Sequence, residues 1–178
     1  MTIWIALLRG INVGGNHLLP MKRLMAIIDS LGGSNARTYI QSGNVVFEHK
    51  IKSPAKLERA IADAVDAEFG FAPRVLLIPA DALVAAAEGN PYPQADAEPK
   101  NLHLYFLESL PVKPDIATMK SLAVEGEQFT LRDQVFYLHA RDGIGKSKLA
   151  ERVERLLGVA ATARNWRTVT TLVEMSRG

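Results

Sequence analysis

Cysteine is missing from all 178 residues, and that absence removes disulfides, thiolate nucleophiles and thiolate metal sites together. A net excess of either charge is nearly missing as well. The 21 Lys and Arg stand against 19 Asp and Glu, a net of +2, so bulk charge recommends neither nucleic acid nor a membrane surface. No apolar run approaches the ~18 residues of a membrane span, and no basic segment followed by an apolar one opens the chain. A cytoplasmic protein with no membrane partner is the expectation. Aromatic residues are few, at 7%, while the hydrophobic share is 48%, so aliphatics must build most of the core.

A local charge excess does exist. From Arg141 onward eight basic residues accompany four acidic ones, which is far short of the basic stripe of a duplex-binding domain.

The hydrophobic pattern sets out the elements. IWIALL (3–8) is apolar on both faces and reads as a strand covered on both sides. Pro20 suits a helix N1 position, Leu24, Ile27, Ile28 and Leu31 follow at helical spacing, and Gly32 is the stop. ARTYIQSGNVVFEH (36–49) reads as two strands around Ser42-Gly43-Asn44. Ser53-Pro54 opens a second helix with Leu57, Ile61, Ala64, Val65 and Phe69 inward, and RVLLI (74–78) is a strand. The order is β-α-β-β-α-β, that of a ferredoxin-like plait.

The second half runs in parallel. A short helix spans 80–88, and NPYPQADAEP (90–99) has the composition of a linker. LHLYFL (102–107) is a strand, Ile116, Met119 and Leu122 mark a helix, and 126–140 forms a hairpin. GIGKSKLAERVERLLG (143–158) reads as a glycine turn leading into a helix, and 161–176 as a terminal helix opened by Thr162 or Asn165. The expected fold is therefore α+β, two ferredoxin-like (βαββαβ-type) plait halves with a C-terminal helix. The halves are residues 1–89 and 90–178, packed as one compact unit.

Four stretches concentrate polar chemistry. In LLRGINVGGN (7–16), glycines between a strand and a helix expose backbone donors, and Arg9 offers a fork for phosphate or carboxylate. The dinucleotide fingerprint G-x-G-x-x-G is absent, since the glycines are Gly10, Gly14 and Gly15. GIGKSKL (143–149) resembles the end of a phosphate-binding P-loop, yet the first glycine would fall at Ala140, and no apolar strand ends in a magnesium-holding Asp. An NTPase is excluded on those grounds, while Lys146 and Ser147 remain anion candidates. TYIQSGN (38–44) and TARNWRTV (162–169) supply Gln41, Ser42 and Asn44, and Arg164 and Asn165. Trp166 is assigned to the core, as large aromatics usually are.

Catalytic signals are thin. His17, His49, His103 and His139 have no metal-like spacing, no G-x-S-x-G elbow occurs, and no acid and base stand out as a pair. Neither a metal nor a cofactor is expected, and the sequence does not decide whether the protein is an enzyme.

LLRGINVGGNHLLPMKRL, TYIQSGNVVF, KSKL and ATARNWRTV, in that order, resemble the bacterial family called domain of unknown function 1697, over essentially the whole chain. The resemblance implies an α+β fold with plait-like halves and carries no activity to transfer. The positions matching its motifs are Arg9, Asn12, Gly14, Gly15, Asn16, Thr38, Gln41, Ser42, Gly43, Asn44, Arg164 and Asn165. The chain departs from it after Leu31-Gly32, where Gly33-Ser34-Asn35 replaces an expected bulky apolar residue.

The leading expectation is a binder of a small anionic, phosphate- or nucleotide-like ligand in a polar cleft formed by the loops at 9–16, 38–44 and 162–168. Arg9 and Arg164 would supply charge and the backbone of Gly14 and Gly15 donors. Asn12, Asn16, Gln41, Ser42 and Asn44 would orient the ligand. One alternative is a single-stranded nucleic-acid binder, disfavoured because the aromatics Trp4, Phe47, Tyr105 and Phe136 do not form an RNP pattern. The other is a protein–protein interaction module.

Overall fold

The computed structural model describes residues 1–178. Its strands are β1 (Thr2–Arg9), β2 (Ser34–Tyr39), β3 (Asn44–His49), β4 (Arg74–Pro79), β5 (Leu102–Leu107), β6 (Glu127–Arg132), β7 (Val135–Ala140) and β8 (Ala161–Asn165). Its helices are α1 (Met21–Ser30), α2 (Pro54–Phe69), α3 (Ala80–Glu88), α4 (Ile116–Leu122), α5 (Val153–Leu157) and α6 (Trp166–Ser176). The chain divides into two compact units, Met1–Ala85 with Thr171–Gly178, and Ala86–Thr170. No helix is long and apolar enough to cross a membrane.

In the first unit the sheet order is β2-β3-β1-β4, all neighbours antiparallel. That order on a β-α-β-β-α-β chain is the ferredoxin-like plait. Strand alternation sends Trp4, Ala6 and Leu8 to one face, where they pack with Leu24, Ile28, Leu57, Ile61 and Val65 from α1 and α2. Ile5 and Leu7 on the opposite face are buried too, so β1 is covered on both sides, as its unbroken apolar run requires. Pro20 is the N-cap of α1, one residue before the expected N1, and Gly32 at φ +91° lies just past Leu31, its C-cap. The departure at Gly33 has a steric reason. A Cβ there would lie 2.5 Å from Ile28 Cγ2 and 2.9 Å from its carbonyl oxygen, leaving no room for any side chain.

The second unit repeats the plan with order β6-β7-β5-β8. Tyr105, Phe136, Leu138, Met119, Leu149, Val153 and Leu157 form its core. Two expectations change here. The helix expected over 143–158 breaks into 3-10 turns at Ile144–Lys146 and Ala150–Arg152 before the five-residue α5. The start of the terminal segment is a strand, not a helix: β8 adds to the sheet edge beside β5, and α6 begins only at Trp166. Asn165 keeps its expected part, accepting from Thr168 N–H at 2.9 Å as a helix cap.

The proline-rich 90–99 stretch is not a loose connection. Tyr92 and Ala95 are buried, and the segment forms a 3-10 turn over Pro93–Asp96. Tyr92 Oη and Thr130 Oγ1 lie 2.8 Å apart, and the indole N–H of Trp166 donates to Asp96 at 2.8 Å. Trp166 is core, as expected.

Candidate functional site

In the first unit the glycine loop is a small hairpin of its own. Asn16 N–H donates to Val13 O at 3.0 Å, and Asn12 N–H to His17 O at 3.0 Å. Gly14 and Gly15 stand between at φ +57° and +78°, the two positive angles that a type I′ turn needs. A Cβ at either would meet nothing within 4 Å, so conformation, not crowding, calls for glycine there. The expected link to a helix start is absent from this tip, since α1 begins at Met21, after buried Leu19 and Pro20.

Asn12 joins this loop to the next. Its Nδ2 donates to Leu19 O at 3.0 Å and to Gln41 O at 2.7 Å, and its Oδ1 accepts from Leu19 N–H at 2.8 Å. Those bonds use the amide's acceptor and both its donors, so Asn12 is a structural tie between loop 9–19 and turn 40–43. Asn44 is fully buried and spends its amide on the same turn, donating to Tyr39 O at 3.1 Å and Ser42 Oγ at 2.9 Å. His17 bonds Gly10 O at 2.9 Å and stacks on Phe71 with centroids 4.6 Å apart. The polar residues of the two loops thus divide. Asn12 and Asn44 hold the framework, while Arg9, Asn16, Gln41 and Ser42 are exposed.

The sheet register adds a residue that the sequence did not single out. Arg9 at the end of β1 is paired directly with Arg74 at the start of β4, and both are exposed. Side chains directly opposite in an antiparallel pair leave the sheet on the same face, with Cβ atoms about 4.5–5.5 Å apart. Both side chains therefore leave the same rim of the sheet. On the other flank, Leu7 pairs with Asn44, and Leu8 N–H donates to Gly43 O at 2.8 Å. Continuing that register sets Ser42 beside Arg9. The row Arg74–Arg9–Ser42 places two cationic forks and a hydroxyl along the end of one sheet, bordered by the Asn12-tied loops. No sequence signal marks Arg74, because register is a tertiary property.

The rim is open. Cavities of about 440 and 410 Å³ on this unit lie elsewhere, the first beside Lys22, Asp29 and Ala36, the second beside Asn35, Arg37 and Gly178. Three apolar side chains border the same loops in solvent, Val13 (66% exposed), Leu18 (62%) and Ile40 (52%).

The candidates in the second unit have different surroundings. Ser147 is buried, and its Oγ accepts from Ala150 N–H at 3.0 Å, which occupies it as a cap of the short turn that follows. Lys146 is exposed. Arg164, paired with Leu104 in the sheet, donates from Nη1 to Ala163 O at 2.9 Å, and loss of solvation lowers its pKa to about 10. Two residues earlier, Thr162 Oγ1 is buried with no hydrogen-bond partner. Trp4, Phe47, Tyr105 and Phe136 are all buried, so none offers bases a stacking platform.

A family model described as Protein of unknown function (DUF1697) matches residues 1–137, which takes in both loops of the first unit and ends before Lys146, Ser147, Arg164 and Asn165. Among solved structures the chain is similar to one described as the structure of conserved bacterial protein SP0830 from Streptococcus pneumoniae. Identity is 25%, coverage is 100% of this chain and 99% of that one, and the TM-score is 0.73. No curated protein matches the chain.

Proposed function

The chain belongs to the DUF1697 family, whose description names no activity, and from its own geometry we propose that it binds a small anionic, phosphate- or nucleotide-like ligand at the Arg9–Arg74 rim of the first unit. The cross-strand pairing of Arg9 with Arg74 carries the reading. Two cationic guanidinium side chains leaving one face favour a negatively charged ligand, and their planar forks match the oxygens of phosphate or carboxylate. Ser42 and the exposed amides of Asn16 and Gln41 add neutral donors and acceptors. The tie through Asn12 stiffens both loops, which lowers the ordering cost of binding.

Exposed Val13, Leu18 and Ile40 favour a second reading, in which the same loops dock a protein partner. A thermal-shift series with inorganic phosphate, mononucleotides, dinucleotides and sugar phosphates separates the two. A ligand at about 100 times its Kd adds ~2.7 kcal/mol, roughly 5–11 °C for a chain of this size. Such a shift, cut back in both Arg9→Ala and Arg74→Ala, is the expected result. No shift from any of these compounds, with both variants folded, overturns the anion reading in favour of the docking one.

A further inference from the structure

We propose that a cavity at the open end of the β6–β7 hairpin, in the second unit, is a separate ligand site that takes a small oxyanion, phosphate or carboxylate. The cavity has a volume of about 360 Å³ and is lined by Gln94, Gly126, Gln128, His139 and Arg141. That volume falls within the roughly 300–1,000 Å³ of small-molecule sites.

Sheet register explains why these five residues meet. Gln128 pairs directly with His139, and Glu127 pairs with Ala140. Arg141 N–H donates to Gly126 O at 3.0 Å, which carries the ladder one step further. Gln128 and His139, and then Gly126 and Arg141, therefore occupy one face of the hairpin in two successive rows. Gln94 comes over that face from the 3-10 turn at Pro93–Asp96, and its Nε2 donates to Gln128 Oε1 at 3.2 Å.

Three features mark a built site. His139 is only 7% exposed, packs on Tyr92 at a centroid distance of 5.9 Å, and makes no side-chain hydrogen bond. The ring lines the cavity with neither nitrogen spent on a protein partner, so both can meet a ligand there. Desolvation lowers its pKa, against a smaller opposing pull from Glu98, and this favours the neutral ring that offers one N–H and one acceptor.

Gly126, at φ +88°, is shaped around Arg141. A Cβ added there would lie 3.2 Å from Arg141 Nε and 3.3 Å from both Cζ and Nη2, so the guanidinium rests against the bare α-carbon. Finally, the donors outnumber the acceptors. The one carboxylate near the 61% exposed Arg141 side chain is that of Asp142, 3.7 Å from Nε and beyond hydrogen-bond distance, so the guanidinium donors can turn to a ligand. The Gln128 amide N–H groups and the imidazole N–H add more, and the acceptor-rich, negatively charged complement is an oxyanion.

The test follows the ring nitrogens of His139 and Nε of Arg141 by 15N NMR in the full chain, titrated with inorganic phosphate and, separately, acetate. Saturable shifts at both residues are expected, and the tighter of the two probes tells phosphate from carboxylate. Arg141→Gln weakens that binding by about tenfold or more, as expected for loss of a charged hydrogen bond. Gly126→Ala weakens it as well, because the new methyl displaces the guanidinium. The Arg9→Ala/Arg74→Ala double variant keeps the shifts, which separates this site from the rim of the first unit. Absence of saturable shifts with both probes, or an Arg141→Gln protein that binds as tightly as the natural one, overturns the proposal.

Discussion

Gly43 closes the turn between β2 and β3, and replacing it with alanine tests how tightly the two loops of the first unit are built. Its φ is +80°, and an added Cβ would lie 2.7 Å from Leu8 Cβ and 2.9 Å from Ile11 Cδ1. Those neighbours cannot yield cheaply, since Leu8 is 1% and Ile11 3% exposed, and Leu8 N–H is bonded to Gly43 O. The left-handed backbone costs an alanine about 1–2 kcal/mol. Forcing a methyl into packed surroundings adds roughly 1–3 kcal/mol. Gly43→Ala should therefore lose about 2–5 kcal/mol, a fall in Tm of roughly 4–20 °C for a chain of this length. Gly14→Ala is the matched control. It has positive φ, +57°, and nothing within 4 Å of the added Cβ, so it should lose only the conformational part, about 1–2 kcal/mol. Urea unfolding of the two variants beside the natural chain gives both values from the shift in midpoint at constant m. A Gly43→Ala protein no less stable than Gly14→Ala would refute the packing argument.

Asn12→Ala removes three hydrogen bonds and puts alanine at φ +53°. At about 1 kcal/mol per bond the loss should be roughly 3 kcal/mol or more, with faster amide exchange at Leu19. Slow exchange at Leu19 in the variant would contradict the structural role given to Asn12. His103 is largely buried, its Nδ1 has no partner, and desolvation lowers its pKa from 6.5 to about 4. Between those two pH values the unfolded chain binds a proton that the folded chain does not. The stability is therefore complete above pH 6.5 and declines as pH falls toward 4, by up to about 3 kcal/mol. His139, shifted in the same direction by burial, adds to the slope. A urea midpoint that stays flat from pH 7 to 5, or falls as steeply in His103→Gln, would contradict this assignment.

The elements legible in the sequence are those with an unbroken or strongly periodic apolar pattern. IWIALL announced a doubly covered strand because every residue in it had to be buried, and the 54–69 helix carried both its start signal and its periodic face. Failures came where tertiary pairing overrode weak local preference. Ala161–Asn165 has only small or polar side chains, and it is a strand because β5 offers it an edge. The 143–158 segment has helical spacing, yet it bends through two 3-10 turns while keeping Leu149, Val153, Leu156 and Leu157 inside. Burial was readable there and backbone path was not.

The same limit governs the sites. Arg9 could be singled out because it breaks an apolar run, and Asn12 and Asn44 because amides gather at turns. Which amides are spent on the framework could be read only from hydrogen bonds. Arg74 and the Gln128–His139 pair depend on register, and local pattern does not encode register when both strands are short.

Two guanidiniums that grip one anion cannot be removed independently, so single and double variants distinguish a shared rim site from two separate ones. Calorimetric titration with inorganic phosphate, or with the tightest ligand from the thermal-shift series, is run on the natural chain, Arg9→Ala, Arg74→Ala and the double variant. Each single variant should lose most of the rim affinity and the double variant little more, a coupling of about 1 kcal/mol or larger between directly paired residues. Full rim affinity in either single variant, or losses that simply add, would contradict a shared site at Arg9 and Arg74.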